Sequence, residues 1–145
     1  MNPIKVVVDT NVMVSALLWE GKPHKLINLA EEKQIIPYAT IETLTELEEV
    51  LQRKKFKERI GLLATSVDQL MFLVKTLVEI IDIEEVVFCV EADADDDIFL
   101  SCALNSKAKY VISGDAHLLD LKHLGEILIV SVMEFFKKEY PAFSV

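Results

Sequence analysis

Hydrophobic positions along the chain fall into short unbroken runs separated by longer stretches of helical spacing. "IKVVV" (4–8) is a β-branched apolar run that stops at Asp9, the form expected of a strand buried on both faces. Apolar positions then recur at helical spacing through Val12, Ala16 and Trp19, and a second helix is expected through "HKLINLAEEK". "IIPYA" (35–39) reads as a strand that Pro37 pushes towards an edge or a bulge, and Thr40 is placed to cap the next helix. Ile41, Leu44, Leu47 and Leu51 mark that amphipathic helix, from 40 to about 53, and another long helix is expected from about 65 to 80. Beyond a strand-like or irregular "EEVVFCV" come a helix to about 106, the strand "YVIS", a short helix "AHLLDL", the strand "EILIV" and a last helix through "VMEFFKKEY". Strands alternating with helices predict an α/β fold with a parallel sheet.

Composition narrows this reading. At 145 residues the chain fits a single domain, 1–145, able to bury one core without metal or disulfide staples. Hydrophobic residues make up 52% of it against four glycines and four prolines, which favours dense regular structure over disorder. No run of about eighteen uncharged apolar residues is present, and the N-terminus lacks a small-residue cleavage site, so no membrane span is expected and the cytoplasm is the expected location. Cys89 and Cys102 lack CxxC spacing and lie in apolar surroundings, which points to buried free thiols. A net charge of −9 opposes any grip on nucleic acid by bulk electrostatics, so a local basic exception is required before such a partner is invoked.

The chemistry concentrates in acids. In "EADADDDIFLSCAL" (91–104) five carboxylates occupy the first seven positions and run straight into an apolar helix. Asp9 follows "VVV" and Asp115 follows "YVISG", so if both strands are central their carboxylates emerge on one rim, where open parallel sheets bind ligands. Each acid singly could be no more than a helix cap, but three consecutive carboxylates, Asp95 to Asp97, exceed what capping needs and add mutual repulsion. A hard divalent cation turns that repulsion into ligation.

The segments "VVVDTNVMVSALL", "TLTELEEVL", "DADDDIFLSCAL" and "YVISGDAHLL", in this order, resemble the PIN-domain ribonucleases, most closely compact prokaryotic PIN proteins paired with antitoxins. The resemblance covers nearly the whole chain. It implies a three-layer α/β/α sandwich around a central, mainly parallel sheet, with catalytic acids Asp9, Glu46, Asp97 and Asp115. It also implies Mg²⁺ or Mn²⁺ held by Asp9, Asp96, Asp97 and Asp115, with Asn11 and Ser113 in support. Helical spacing alone does not separate Glu46 from Glu48, and the family pattern selects Glu46. Between the two central aspartates, the "DxxL" register favours Asp97 as direct ligand with Asp96 as neighbour or second ligand, while Asp93 and Asp95 are assigned to capping and field.

The implied chemistry is metal-dependent hydrolysis of RNA phosphodiesters, leaving a 5′-phosphate and a 3′-hydroxyl. His24, His117 and His123 show no ligand-like pairing and read as surface or capping residues. The basic exception is "RKKFKER" (53–59), with five cations in seven positions. It is expected to close the helix that carries Glu46, where Arg53, Lys54 and Lys57 either contact RNA phosphates or only complement a helix C-terminus. A homodimer and an antitoxin are the expected protein partners, with apolar positions of the 65–80 helix as the dimer face. A haloacid-type phosphatase is disfavoured because its second acid is here Asn11, and a receiver-type module because no acid pair ends the first strand. The remaining alternative is a catalytically inactive PIN scaffold that binds metal or a partner.

Overall fold

The computed structural model describes residues 2–87 and 94–143. Strand β1 (Ile4–Val8) leads directly into α1 (Thr10–Leu18), and Asp9 caps that helix by accepting the Val12 N–H at 2.9 Å. Helix α2 (Lys22–Glu31) follows Gly21, whose φ of 127° suits glycine, and takes a proline in its first turn. Then come β2 (Ile35–Ala39) and α3 (Ile41–Leu51), the latter opened by a reciprocal Thr40/Thr43 capping box. Helices α4 (Lys54–Leu62) and α5 (Val67–Leu77), the second capped by Ser66, lead to the two-residue β3 (Glu79–Ile80). The chain continues through α6 (Ala94–Ser106), β4 (Tyr110–Ile112), α7 (Ala116–Leu121), β5 (His123–Leu124), β6 (Ile127–Val130) and α8 (Val132–Glu139).

The strands form one sheet of order β3-β2-β1-β4-β6-β5, parallel except for β5. Alternation along the strands divides the core. Val6, Tyr110, Ile112 and Val130 pack with α2 and α8, while Val7, Val111, Ile127 and Ile129 pack on the other face with α6 and α7. A third cluster joins α1, α3 and α5 and includes Ile60 of α4. This is the expected α/β arrangement, a mainly parallel sheet between helical layers.

Several boundaries differ from the expectation. The basic segment does not close α3: that helix stops at Leu51, Arg53 is extended, and Lys54 begins α4. Helix α5 ends at Leu77 because Val78 turns extended and feeds β3, and the antiparallel β5 has no counterpart in the sequence reading. Strand β2 lies inside the sheet rather than at its edge. Pro37 is tolerated there because Ala39 bonds towards β3 through its carbonyl to Ile81, and the two-residue repeat turns the missing N–H of Pro37 to that same side. Strand β3 pairs only from Tyr38 onward, so no ladder bond is lost. Residues 84–87 form no strand; they are pinned to α6 instead by bonds from the Glu84 and Glu85 N–H groups to Asn105 and from Val87 N–H to Ser101. Cys89, Asp93 and the side chain of Asp95 lie outside the described residues. Among the described residues, no single helix is long and apolar enough to cross a membrane.

Candidate active site

Strand order reverses between β1 and β4, because β2 and β3 extend the sheet one way and β6 and β5 the other. A crevice at the carboxyl ends of such a pair is where open α/β sheets bind ligands. The ladder continues one step beyond β1, with the Asp9 N–H bonded to the Ile112 carbonyl at 3.0 Å, so Asp9 and Ser113 leave the sheet side by side.

Asp9 is only 5% exposed, and both its oxygens are held. Oδ1 accepts the Val12 N–H, and Oδ2 accepts the hydroxyl of Ser113, which is itself wholly buried. The Ser113 oxygen in turn accepts the Asp115 N–H at 2.9 Å, and Asp115 caps α7 by accepting the His117 N–H at 2.7 Å. One serine hydroxyl therefore ties the two strand-end acids together. Burial pushes the Asp9 carboxyl above its usual range; bonds from Ser113, Val12 and the Gly114 backbone work against this, and the Asp115 charge adds to the rise.

Glu46 reaches the same place from α3, accepting the Thr10 hydroxyl at 2.6 Å. Among the described residues Glu48 makes no comparable contact and does not line the same cavity as Glu46. A cavity of about 170 Å³ is lined by Asp9, Thr10, Asn11, Glu46, Arg53, Asp96 and Asp115, with Val50 and Phe99 as its apolar wall. Asp96 lines it three residues before buried Phe99, on the same side of α6. Asp97 does not line it. Instead, Asp97 stands half-exposed three residues before Leu100, which faces the sheet core.

Among the other expected residues, Asn11 lies at the cavity surface and Ser113 behind Asp9. Lys54 and Lys57 are exposed on α4 and do not line the cavity, whereas Arg53 does. A groove of about 550 Å³ along α3 borders the cavity, sharing Glu46, Val50 and Arg53 with its lining and adding Glu42, Glu49 and Ile98. Thr10, absent from the expected site residues, fixes Glu46 through its hydroxyl; its place directly after Asp9 was the available signal. His24 bonds the Ala16 carbonyl and His123 the Gly125 carbonyl, both structural contacts, and His117 is exposed. Buried Cys102 has its thiol pushed up to about 12 by desolvation and is inert as a nucleophile.

A donor set of carboxylates suits a hard divalent cation. Among the described residues, no group of three or more His, Cys, Asp or Glu side chains stands close enough together to hold a metal ion. The acids line a common wall, but side-chain rotation is needed before three of them share a ligand position.

Residues 5–117 match the family model described as PIN domain. An uncharacterized protein of Methanocaldococcus jannaschii is 30% identical over 131 residues, covering 88% of this chain and 81% of its own length. Among solved structures, a chain of VapBC2 from Rickettsia felis bound to a DNA fragment from their promoter superposes with a TM-score of 0.57 at 14% identity, covering 87% of this chain and 97% of that one. PIN domains are typically nucleases and generally use divalent metals. On the strength of the match over residues 5–117, the chain belongs to the PIN-domain family.

Proposed function

We propose that the chain is a divalent-metal-dependent endoribonuclease acting at the β1/β4 crevice. The observation that carries this reading is that Asp9, Glu46, Asp96 and Asp115, from four separate parts of the chain, line one cavity at the switch point. Capping accounts for Asp9 and Asp115 but not for Glu46, which sits in mid-helix and lines the cavity with three other acids.

Asp9, Asp96 and Asp115 would hold Mg²⁺ or Mn²⁺, with Glu46 closing the set and Asp97 as a neighbour. Bound there, the ion supplies Lewis-acid activation of water and stabilises charge on the phosphate. The chain's own residues supply the rest. Ser113 fixes the rotamer of Asp9 and the loop that presents Asp115; Thr10 holds one oxygen of Glu46 and leaves the other to accept a proton from the attacking water. Asn11 can donate to a phosphate oxygen from the cavity surface, and Arg53 places a guanidinium where the acids alone would repel a polyanion.

We further infer that the chain is the toxin half of a toxin–antitoxin pair and forms a homodimer. The first is supported by its likeness to a VapBC2 chain, and the second by Phe72 of α5, which is 72% exposed. A scaffold that binds a partner without cleaving is the competing reading, favoured by the absence, among the described residues, of three acids gathered at ligand distance.

The deciding experiment incubates the purified protein with a pool of single-stranded RNAs in chelator, Mg²⁺ or Mn²⁺, alongside Asp9→Asn and Glu46→Gln. Metal-dependent internal cleavage, lost in both variants, is expected. Intact RNA in all conditions, with metal still raising the melting temperature, would leave the scaffold reading standing.

A further inference from the structure

The basic segment has a geometry that its sequence did not reveal. Lys54, Lys55 and Lys57 stand in the first turn of α4, which contains no acid. The helix dipole disfavours cations at that end, so they are not there to stabilise the helix. Arg53, Phe56 and Arg59 recur at intervals of three along one side of it, running away from the acidic cavity that Arg53 lines.

This stripe leads to Trp19, the extended residue that caps the end of α1. Phe56 meets the Trp19 ring edge-on with centroids 6.0 Å apart, and the Arg59 guanidinium lies 5.7 Å from the same ring. Arg59 is held there by its Nε–H, which donates to the Leu18 carbonyl at 2.7 Å, and Lys55 sits 5.0 Å from the Phe56 ring. Despite these neighbours Trp19 remains 43% exposed. Trp19 is thus an indole steadied by Phe56 and by Arg59, whose guanidinium lies over one face of the ring, with the rest of the ring left open to solvent.

We propose that Trp19 is a base-stacking subsite for single-stranded RNA, reached by a phosphate track of Arg53, Lys54, Lys57 and Arg59. The inference deepens the nuclease reading and rests on it. Aromatic faces set among cations bind single strands without regard to sequence, because every base offers a π-face and the cations follow the backbone. The length of α1 puts Trp19 about 15 Å from Asp9, at 1.5 Å per residue. At a stacked rise of about 3.4 Å that spans roughly four nucleotides. A strand cleaved at the acids would lay a base on Trp19 a few nucleotides from the scissile bond.

Trp19 is the chain's single tryptophan, so its emission reports on this subsite alone. The test titrates the full chain, in chelator to keep the strand whole, with a single-stranded RNA of about eight nucleotides carrying a terminal dye, a length within known single-strand site sizes. Dye anisotropy reads binding, and tryptophan emission reads stacking. Quenching in step with anisotropy is expected. Trp19→Leu should weaken binding roughly fivefold or more, with Trp19→Phe retaining most of the affinity. A strand with abasic sugars in its central positions should bind the unaltered protein as weakly as the intact strand binds Trp19→Leu.

With metal, the leucine variant should raise KM for the longer strand and leave cleavage of a dinucleotide unchanged. Binding without quenching, or equal affinity for Trp19→Leu and the unaltered protein, overturns the subsite and leaves the nuclease reading intact. Absence of both binding and cleavage overturns the two together. A concentration-dependent emission shift without RNA would show a protein surface covering Trp19, and would also overturn the proposal.

Discussion

Removing one buried hydroxyl tests how the acidic cavity is assembled. Ser113 is wholly buried, donates to buried Asp9 and accepts the Asp115 N–H at 2.9 Å. Ser113→Ala deletes both bonds without adding bulk. The bond to the Asp9 carboxylate is charge-assisted and worth roughly 1.5–3 kcal/mol, and the half-exposed Asp115 N–H adds at most about 1 kcal/mol because water partly replaces its partner. A loss near 3 kcal/mol is expected, seen as a drop in Tm of roughly 6–12 °C for a chain of this length. Urea unfolding followed by far-UV circular dichroism measures it, and a double-mutant cycle with Asp9→Asn isolates the pair. Coupling of about 1–2 kcal/mol is expected between residues in direct contact. A loss below about 0.5 kcal/mol, or additivity within that margin, would mean that the hydroxyl does not hold the carboxylate and that the account of the site's assembly is wrong.

Asp96→Asn should relieve repulsion in the cavity and melt slightly higher than the unaltered protein in chelator, by roughly 1 kcal/mol, yet gain less from excess Mn²⁺; Asp97→Asn should keep the full Mn²⁺ gain. Equal Mn²⁺ gains in the two variants would remove Asp96 from any metal site. At the far end of β4, burial works to raise the Glu139 carboxyl, but hydrogen bonds from Lys109 and Tyr110 and the charges of Lys109 and Lys138 outweigh it and set it below its ordinary 4.5. A depressed carboxylate contributes stability above its unfolded value and loses it as pH falls through the folded one, so Glu139→Gln should flatten the decline in Tm below about pH 4.5, and parallel acid limbs would refute the link between β4 and α8. Phe72→Glu should convert a homodimer to monomer in light scattering at high concentration, and an unchanged mass would place any dimer contact elsewhere.

The parts of the site legible in the sequence were those set by strand ends. Asp9 and Asp115 follow apolar runs whose β-branched residues cannot be mistaken for solvated loop, and parallel pairing then brings them together. Which of Asp96 and Asp97 lines the cavity was not legible, for a physical reason. Phe99 and Leu100 are both buried, so α6 is enclosed on most of its circumference and both registers look alike. Only the docking of Phe99 against the cavity, and of Leu100 against the sheet, separates them. The break at Arg53 was hidden for a similar reason. No glycine or proline lies between Leu51 and Lys54, and what holds α4 off the α3 axis is tertiary: Phe56 against Trp19, Arg59 on the Leu18 carbonyl and Ile60 in the core.

That break also bears on how a chain of net charge −9 can handle a polyanion. Had the basic segment continued α3, its cations would have wound around a helix terminus and balanced its dipole. Set at the start of a new helix, they gain nothing from the dipole and stand exposed to solvent, with Arg53 and Arg59 on the side that leads to Trp19. At physiological ionic strength charges interact over a Debye length of about 8 Å, so a strand on this stripe responds to Arg53, Lys54, Lys57 and Arg59 far more than to acids across the molecule. Of the acids near the segment, those of the cavity are the ones a bound divalent ion would neutralise, whereas Glu58 on α4 itself and Glu49 beside Arg53 are not among them. Binding should therefore fall with salt according to the few cations of the stripe. Replacing Arg53, Lys54 and Lys57 by glutamine should flatten the slope by close to three phosphate contacts, at about 0.7 per contact for a single strand, and should leave the Mn²⁺-induced rise in Tm intact. An unchanged slope would return the segment to surface solvation and require another route for the substrate into the crevice.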